Sequence, residues 1–165
     1  MSILLRLADA LNRDDNLARK LNILLALAAG LTANGLGLWL GRDMASDSAP
    51  WFSLPGWLNA LVWLCLFALV GASRWMLNSY TIIGVSTART MVALLVLCCL
   101  LWPFYSLPTV GLRIALLGNA ATILLAIATI AVVRQRSAEA ASLLMPLVVW
   151  LAYSILIVVT ALGWL

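Results

Sequence analysis

Residues 112–133 read LRIALLGNAATILLAIATIAVV, and their one charged residue, Arg113, stands second in the run. As a helix rising 1.5 Å per residue, such a stretch is about 33 Å long, enough for the roughly 30 Å hydrocarbon layer of a bilayer. Comparable apolar runs lie on either side, at about 21–40, 57–76, 90–105 and 141–165. Of the 165 residues 65% are hydrophobic and 10% charged, where a soluble domain carries roughly 25% charged residues. A chain so poor in charge cannot clothe a globule in polar surface, so lipid must be its main solvent. The expectation is an all-α membrane protein: a bundle of five transmembrane helices over 21–165, preceded by an amphipathic segment at 1–20.

In that first segment Ile3, Leu4, Leu7 and Leu11 recur at helical spacing with Arg6, Asp9 and Arg13 beside them, the pattern of a helix lying in the interface. No A-x-A cleavage site follows it, so it does not read as a signal peptide. In the first span, Ala26 and Gly30 stand four apart, a spacing of small residues that lets helices approach closely. Orientation follows from the basic residues. With five spans, Arg6, Arg13, Arg19, Lys20, Arg74, Arg89, Arg134 and Arg136 fall on the N-terminal side, and Arg42 and Arg113 on the other. The positive-inside rule then places the N-terminus in the cytoplasm and the C-terminus outside, in a membrane expected to be a bacterial inner membrane. The long polar connection at 41–56 becomes an outer loop. The net charge of +4 is thus a topology signal, and no nucleic-acid partner is expected.

What the spans lack excludes several functions. There is no histidine, which removes the commonest metal ligand, haem ligand and general base, and no metal site is assigned. No Asp, Glu or Lys lies in the core of a span, so a charge-coupled transporter lacks its coupling residue and an intramembrane hydrolase lacks its base. The polar groups inside the spans, among them Asn34, Asn59, Asn119, Thr122 and Ser154, are expected to hydrogen-bond between helices. Cys65, Cys98 and Cys99 sit in apolar runs and read as small packed or lipid-facing side chains. Neighbouring positions on a helix point about 100° apart, which disfavours a bridge between the last two.

The eight tryptophans are the unusual feature. Trp39, Trp57, Trp75 and Trp164 fall at span ends, as an interfacial belt requires. Trp63 and Trp150 fall inside spans, Trp102 near the end of the third, and Trp51 in the 41–56 loop. The run Pro50-Trp51-Phe52-Ser53-Leu54-Pro55-Gly56-Trp57, with Trp63 six residues on and then Phe67, resembles the signature of the TspO/MBR family, the tryptophan-rich sensory proteins that include the translocator protein or peripheral benzodiazepine receptor. Leu101-Trp102-Pro103-Phe104-Tyr105 is more loosely similar to that family's third-helix motif, and Pro146-Leu147-Val148-Val149-Trp150 to its fifth-helix motif. Span count, length and motif order agree over about 21–165.

The resemblance implies a five-helix bundle, often a homodimer, that binds porphyrins, haem-like tetrapyrroles or sterols in a pocket closed by the first loop. Carried over by motif, the binding residues are Trp51, Trp63, Phe67, Cys99, Trp102, Pro146, Leu147 and Trp150. Three of the family's polar positions are apolar here: its third-helix Asn falls on Cys99, its fifth-helix Tyr on Leu147, and a late fifth-helix Asn on about Val158. Arg42 would be placed to pair with a propionate, though a solvated loop charge or a partner of Asp43 or Asp47 is the favoured reading. No cofactor is obligatory and no catalytic residue is assigned. The family includes members that promote light-dependent porphyrin breakdown, and the indoles for it are kept, but the chain is not read as an enzyme on that ground. The two functions to separate are a sensor or carrier for a tetrapyrrole or other flat, lipid-like molecule and a membrane scaffold that modulates a partner protein.

Overall fold

A computed structural model of the chain describes residues 3–39, 50–81, 83–106 and 111–164. Among them the order is α1 (Ile3–Leu11), α2 (Asn16–Trp39), α3 (Gly56–Met76), a 3-10 turn (Leu77–Ser79), α4 (Val85–Tyr105), α5 (Leu112–Arg134), α6 (Ala138–Ser142) and α7 (Met145–Ala161). Taking α6 and α7 as one segment, five are long and apolar enough to cross a membrane. The helix boundaries differ from a hydropathy reading where polar residues extend a helix beyond its apolar part. The Asp15 carboxylate accepts the Ala18 amide at 2.7 Å, capping α2 so that its polar first turn, 16–20, is already helical. Likewise α4 starts at Val85, after Gly84 adopts the left-handed φ of 90° that favours glycine. The last span is divided: Ser137 caps α6 through the Ala140 amide at 3.1 Å, and Pro146 opens α7. Proline at that position has no amide to give the carbonyl four residues back and its ring crowds it, so the helix breaks just before.

On α2 and α5 the buried stripe follows helical spacing, but it is not the most hydrophobic face of the helix. On α2 the buried residues are Ala18, Asn22, Ala26, Gly30, Ala33 and Gly37, while Leu24, Leu31 and Leu38 stay exposed. On α5 Ala115, Asn119, Thr122, Ala126, Thr129 and Val133 are buried and Leu117, Leu124 and Ile127 are exposed. In lipid an exposed leucine costs nothing, so close backbone approach by small residues decides which face turns inward. The helices α2 and α3 pack together most extensively, α4 lies against α2 and α5, and α5 against α7.

Gly71 marks the tightest crossing. A Cβ there would stand 2.7 Å from the Asn22 carbonyl oxygen and 3.0 Å from the Ile23 Cα. Both are backbone atoms and cannot swing aside, so Gly71→Val must push α2 and α3 apart. It is expected to cost roughly 1–3 kcal/mol, read as a lower unfolding midpoint in detergent; an unchanged midpoint would mean the crossing is loose. Near the same end, Ser73 donates to the Ala140 carbonyl at 2.8 Å, tying α3 to α6, and α1 is fixed by its last carbonyl. Leu11 O accepts from Asn22 Nδ2 at 2.9 Å, Asn78 Nδ2 at 2.8 Å and Arg74 Nη1 at 3.2 Å. Ile3 and Leu7, four apart on one side of α1, remain exposed, as suits a helix lying at the interface.

Candidate functional site

Towards the other end of the bundle, large aromatic side chains take over from the small ones. On α3 the buried positions Trp63, Leu66, Phe67 and Val70 follow the three-four spacing of one helix face. The α4 stripe runs through Leu95 and Cys99 to Trp102, and α7 contributes Leu147, Trp150 and Leu151. Trp63 is the hub, with its ring centroid 5.4 Å from Trp102, 6.0 Å from Phe67 and 6.5 Å from Trp150, the last pair edge-to-face at 85°. Aromatic pairs at such centroid distances are each worth roughly 0.5–1.5 kcal/mol beyond the area they bury. The helices α3 and α7 meet through these rings rather than by close backbone approach.

The cluster continues outward through Tyr153, whose ring lies 5.1 Å from Trp150 and 6.5 Å from Phe52. The Tyr153 hydroxyl donates to the Phe52 carbonyl at 3.0 Å and accepts the Leu54 amide at 3.2 Å. One side chain of α7 thereby fastens the segment that leads into α3. Tyr153→Phe removes both bonds, each worth about 0.5–1.5 kcal/mol, without disturbing the ring contacts. Its expected marks are faster hydrogen exchange at the Leu54 amide and a modestly lower global midpoint. Unaltered Leu54 exchange would mean that something else holds the segment.

Trp63 and Phe67 are each 3% exposed and Trp102 and Trp150 each 9%, so the site is closed. A cavity of about 10 Å³ remains, lined by Trp63, Phe67, Cys99 and Leu147 among others, which is roughly the room for one water molecule. Buried indole N–H groups ordinarily find an acceptor. Those of Trp63 and Trp150 are buried and have none, so two hydrogen-bond donors stand unused within one aromatic cluster.

The TspO/MBR family profile matches residues 22–164. The chain belongs to the TspO/MBR family. No curated protein matches it in sequence. As a TspO/MBR member with five membrane-crossing segments it is an integral membrane protein.

Of the eight residues carried over from the family's motifs, six come together: Trp63, Phe67, Cys99, Trp102, Leu147 and Trp150. Two do not join them. Trp51 is 95% exposed; it sits in a turn closed by the Ser53 amide on the Pro50 carbonyl at 2.9 Å, and the next residue, Phe52, takes the inward place. Pro146 is exposed in the first turn of α7, where its part is to start the helix. Arg42, Asp43 and Asp47, and with them the larger part of the 41–56 loop, lie outside the described residues. Tyr153 and Phe52, outside the set carried over from the motifs, extend the aromatic cluster. The sequence did carry a signal for Tyr153, which stands three residues after Trp150 and so shares its helix face.

The polar residues inside the spans divide. Asn34 Nδ2 reaches the Ala60 carbonyl of the neighbouring helix at 3.5 Å, and Thr122 meets the Tyr105 hydroxyl at 3.3 Å. Ser154 bonds back to the Trp150 carbonyl of its own helix at 3.0 Å.

Proposed function

We propose that this protein is a membrane receptor or carrier for a tetrapyrrole or a comparably flat apolar molecule, held among Trp63, Trp102 and Trp150. The observation that carries this reading is the pair of unpartnered indole N–H groups within the aromatic cluster. A buried donor left without an acceptor costs about 1–3 kcal/mol, and a ligand with carbonyl, carboxylate or ring-nitrogen acceptors between the rings would recover it. Membership of a family of ligand-binding membrane proteins supports the same reading. A 10 Å³ cavity admits no macrocycle, so binding requires the indoles to part and re-form their stacking on the ligand. With no histidine in the chain, the binding groups are aromatic faces and N–H donors, which suit a metal-free porphyrin. In the orientation set by the basic residues, the N-terminus is cytoplasmic and the aromatic cluster lies towards the outer face.

Titration of the detergent-solubilised protein with protoporphyrin IX tests this, through the shift of the porphyrin absorption band and quenching of tryptophan fluorescence. Saturable binding is expected, weakened about tenfold in Trp63→Phe and Trp150→Phe, which lose the N–H donors, and unchanged in Trp51→Phe. Equal binding by all three variants would remove the proposed pocket. Absence of saturable binding, together with a co-purifying partner chain, would favour a scaffold.

A further inference from the structure

A second cavity, of about 280 Å³, opens between α2, α3 and α4 at the arginine-rich end of the bundle. It shares Val70 and Val96 with the aromatic site as a common wall and is otherwise separate from it. Its sides are apolar and open outward: Leu25 and Leu97 are 43% and 55% exposed, and Ala93 between them is exposed as well. Its far end is polar and cationic, formed by Asn22, Arg74 and the Leu11 backbone. An apolar trough ending on a cation, set in the wall of a membrane bundle, has the polarity profile of an amphiphile.

Among the described residues, the groups that hold Arg74 are all uncharged. Arg74 Nη1 donates to Asn22 Oδ1 at 2.6 Å and Nη2 to Asn12 Oδ1 at 2.9 Å; these acceptors, like the Leu11 carbonyl, carry no charge. Arg89 stands three and four residues before Val92 and Ala93 of the groove wall, on the same face of α4 and one turn nearer this end, and its charge acts unfavourably on Arg74. It bonds the Leu77 carbonyl at 3.1 Å, and its Nε is buried without a partner. Arg19, stacked 5.6 Å over the Trp75 ring, adds a third cation at this end. Among the described residues the ion pair within 4 Å is Arg13 with Asp15, at 3.7 Å, so neither Arg74 nor Arg89 has a carboxylate. Guanidinium groups recognise phosphate oxygens well, and two of them repelling each other gain from an anion placed between.

We propose that this groove binds one anionic phospholipid, with its phosphate against Arg74 and Arg89 and an acyl chain along Leu25, Ala93, Val96 and Leu97. The lipid would supply the missing counter-charge and cover the groove that α2 and α4 leave open. Occupancy would steady the α2–α3 crossing at Gly71, which also lines the groove.

Native mass spectrometry of the full chain, released from micelles containing phosphatidylglycerol and phosphatidylcholine with the same acyl chains, tests the proposal. The wild-type protein is expected to retain one phosphatidylglycerol over phosphatidylcholine by roughly 25-fold, about fivefold for each of the two guanidinium groups facing the headgroup. Arg74→Gln, which leaves Arg89 in place, is expected to lower that preference to about fivefold. Because Arg74 also holds α1, Ala93→Phe provides a second variant: it leaves Arg74 intact, fills the trough, and is expected to abolish retention of both lipids with helix content unchanged. Parity in the wild type, full retention by Ala93→Phe, or displacement of the lipid by inorganic phosphate alone would each overturn the proposal.

Discussion

Replacing Trp63 with alanine is expected to lower the unfolding free energy by roughly 3–5 kcal/mol. The ring is 3% exposed and touches rings from α3, α4 and α7, so its loss leaves a void that three helices would have to close together. Those helices cannot collapse freely, because α3 is pinned by the Gly71 crossing at one end and the Tyr153 hydrogen bonds at the other. Trp63→Phe separates packing from polarity. It keeps an aromatic ring in the cluster and removes an unpartnered N–H, so loss of contact and relief of a buried donor work in opposite directions. The phenylalanine variant is therefore expected within about 1 kcal/mol of wild type, and the alanine variant well below both. Equilibrium unfolding in mixed micelles reads the difference. Alanine and phenylalanine variants of equal stability would show that the cluster does not hold α3, α4 and α7 together.

The five crossings were legible because length and lack of charge are properties of a run of sequence, needing no knowledge of neighbours. Which side of each run faces inward was not. In water an amphipathic stripe would point to the core; in lipid the two sides of α2 differ in size more than in polarity, with Ala26 and Gly30 inward and Leu24 and Leu31 outward. The Ala26–Gly30 spacing was the visible part of that size pattern, and both residues are buried. A Cβ on Gly30 would meet the Phe67 ring at 2.9 Å, so a small residue on α2 makes room for an aromatic of the candidate site.

The site was legible wherever a residue's place follows from helix geometry. Trp63 and Phe67 are four apart on α3, and Cys99 and Trp102 three apart on α4, so each pair necessarily shares a face. Trp51 failed this logic because it precedes the helix: whether Trp51 or Phe52 turns inward depends on the turn at Pro50 and on Tyr153, which is about a hundred residues away in sequence. The arginines show the same limit. Counting them gave a sidedness, but only the fold shows that Arg74 meets Leu11, Asn12 and Asn22 and has no carboxylate within 4 Å among the described residues.

Leu147→Ala is expected to destabilise the protein and yet bind protoporphyrin more tightly. Leu147 is 2% exposed and lines the small cavity beside Trp63 and Cys99, at the position where the TspO/MBR motif carries a tyrosine. Truncation should cost roughly 2–5 kcal/mol, rising with the volume left empty. An apolar void of this kind stays dry and accepts apolar ligands. The gain in affinity does not require the void itself to hold a macrocycle. If the closed cluster is what opposes binding, the apparent affinity is the intrinsic one reduced by the fraction of open molecules. Weakening the closed state by about 1.4 kcal/mol then raises that fraction, and the affinity, about tenfold. Trp63→Ala supplies the contrast, since it also loosens the cluster but removes an indole on which the ligand would stack. The two variants should therefore lose stability together and move apart in affinity, Leu147→Ala upward and Trp63→Ala downward. If both bind protoporphyrin more weakly, the closed indoles are not the barrier; if both bind it more tightly, Trp63 obstructs the ligand instead of holding it.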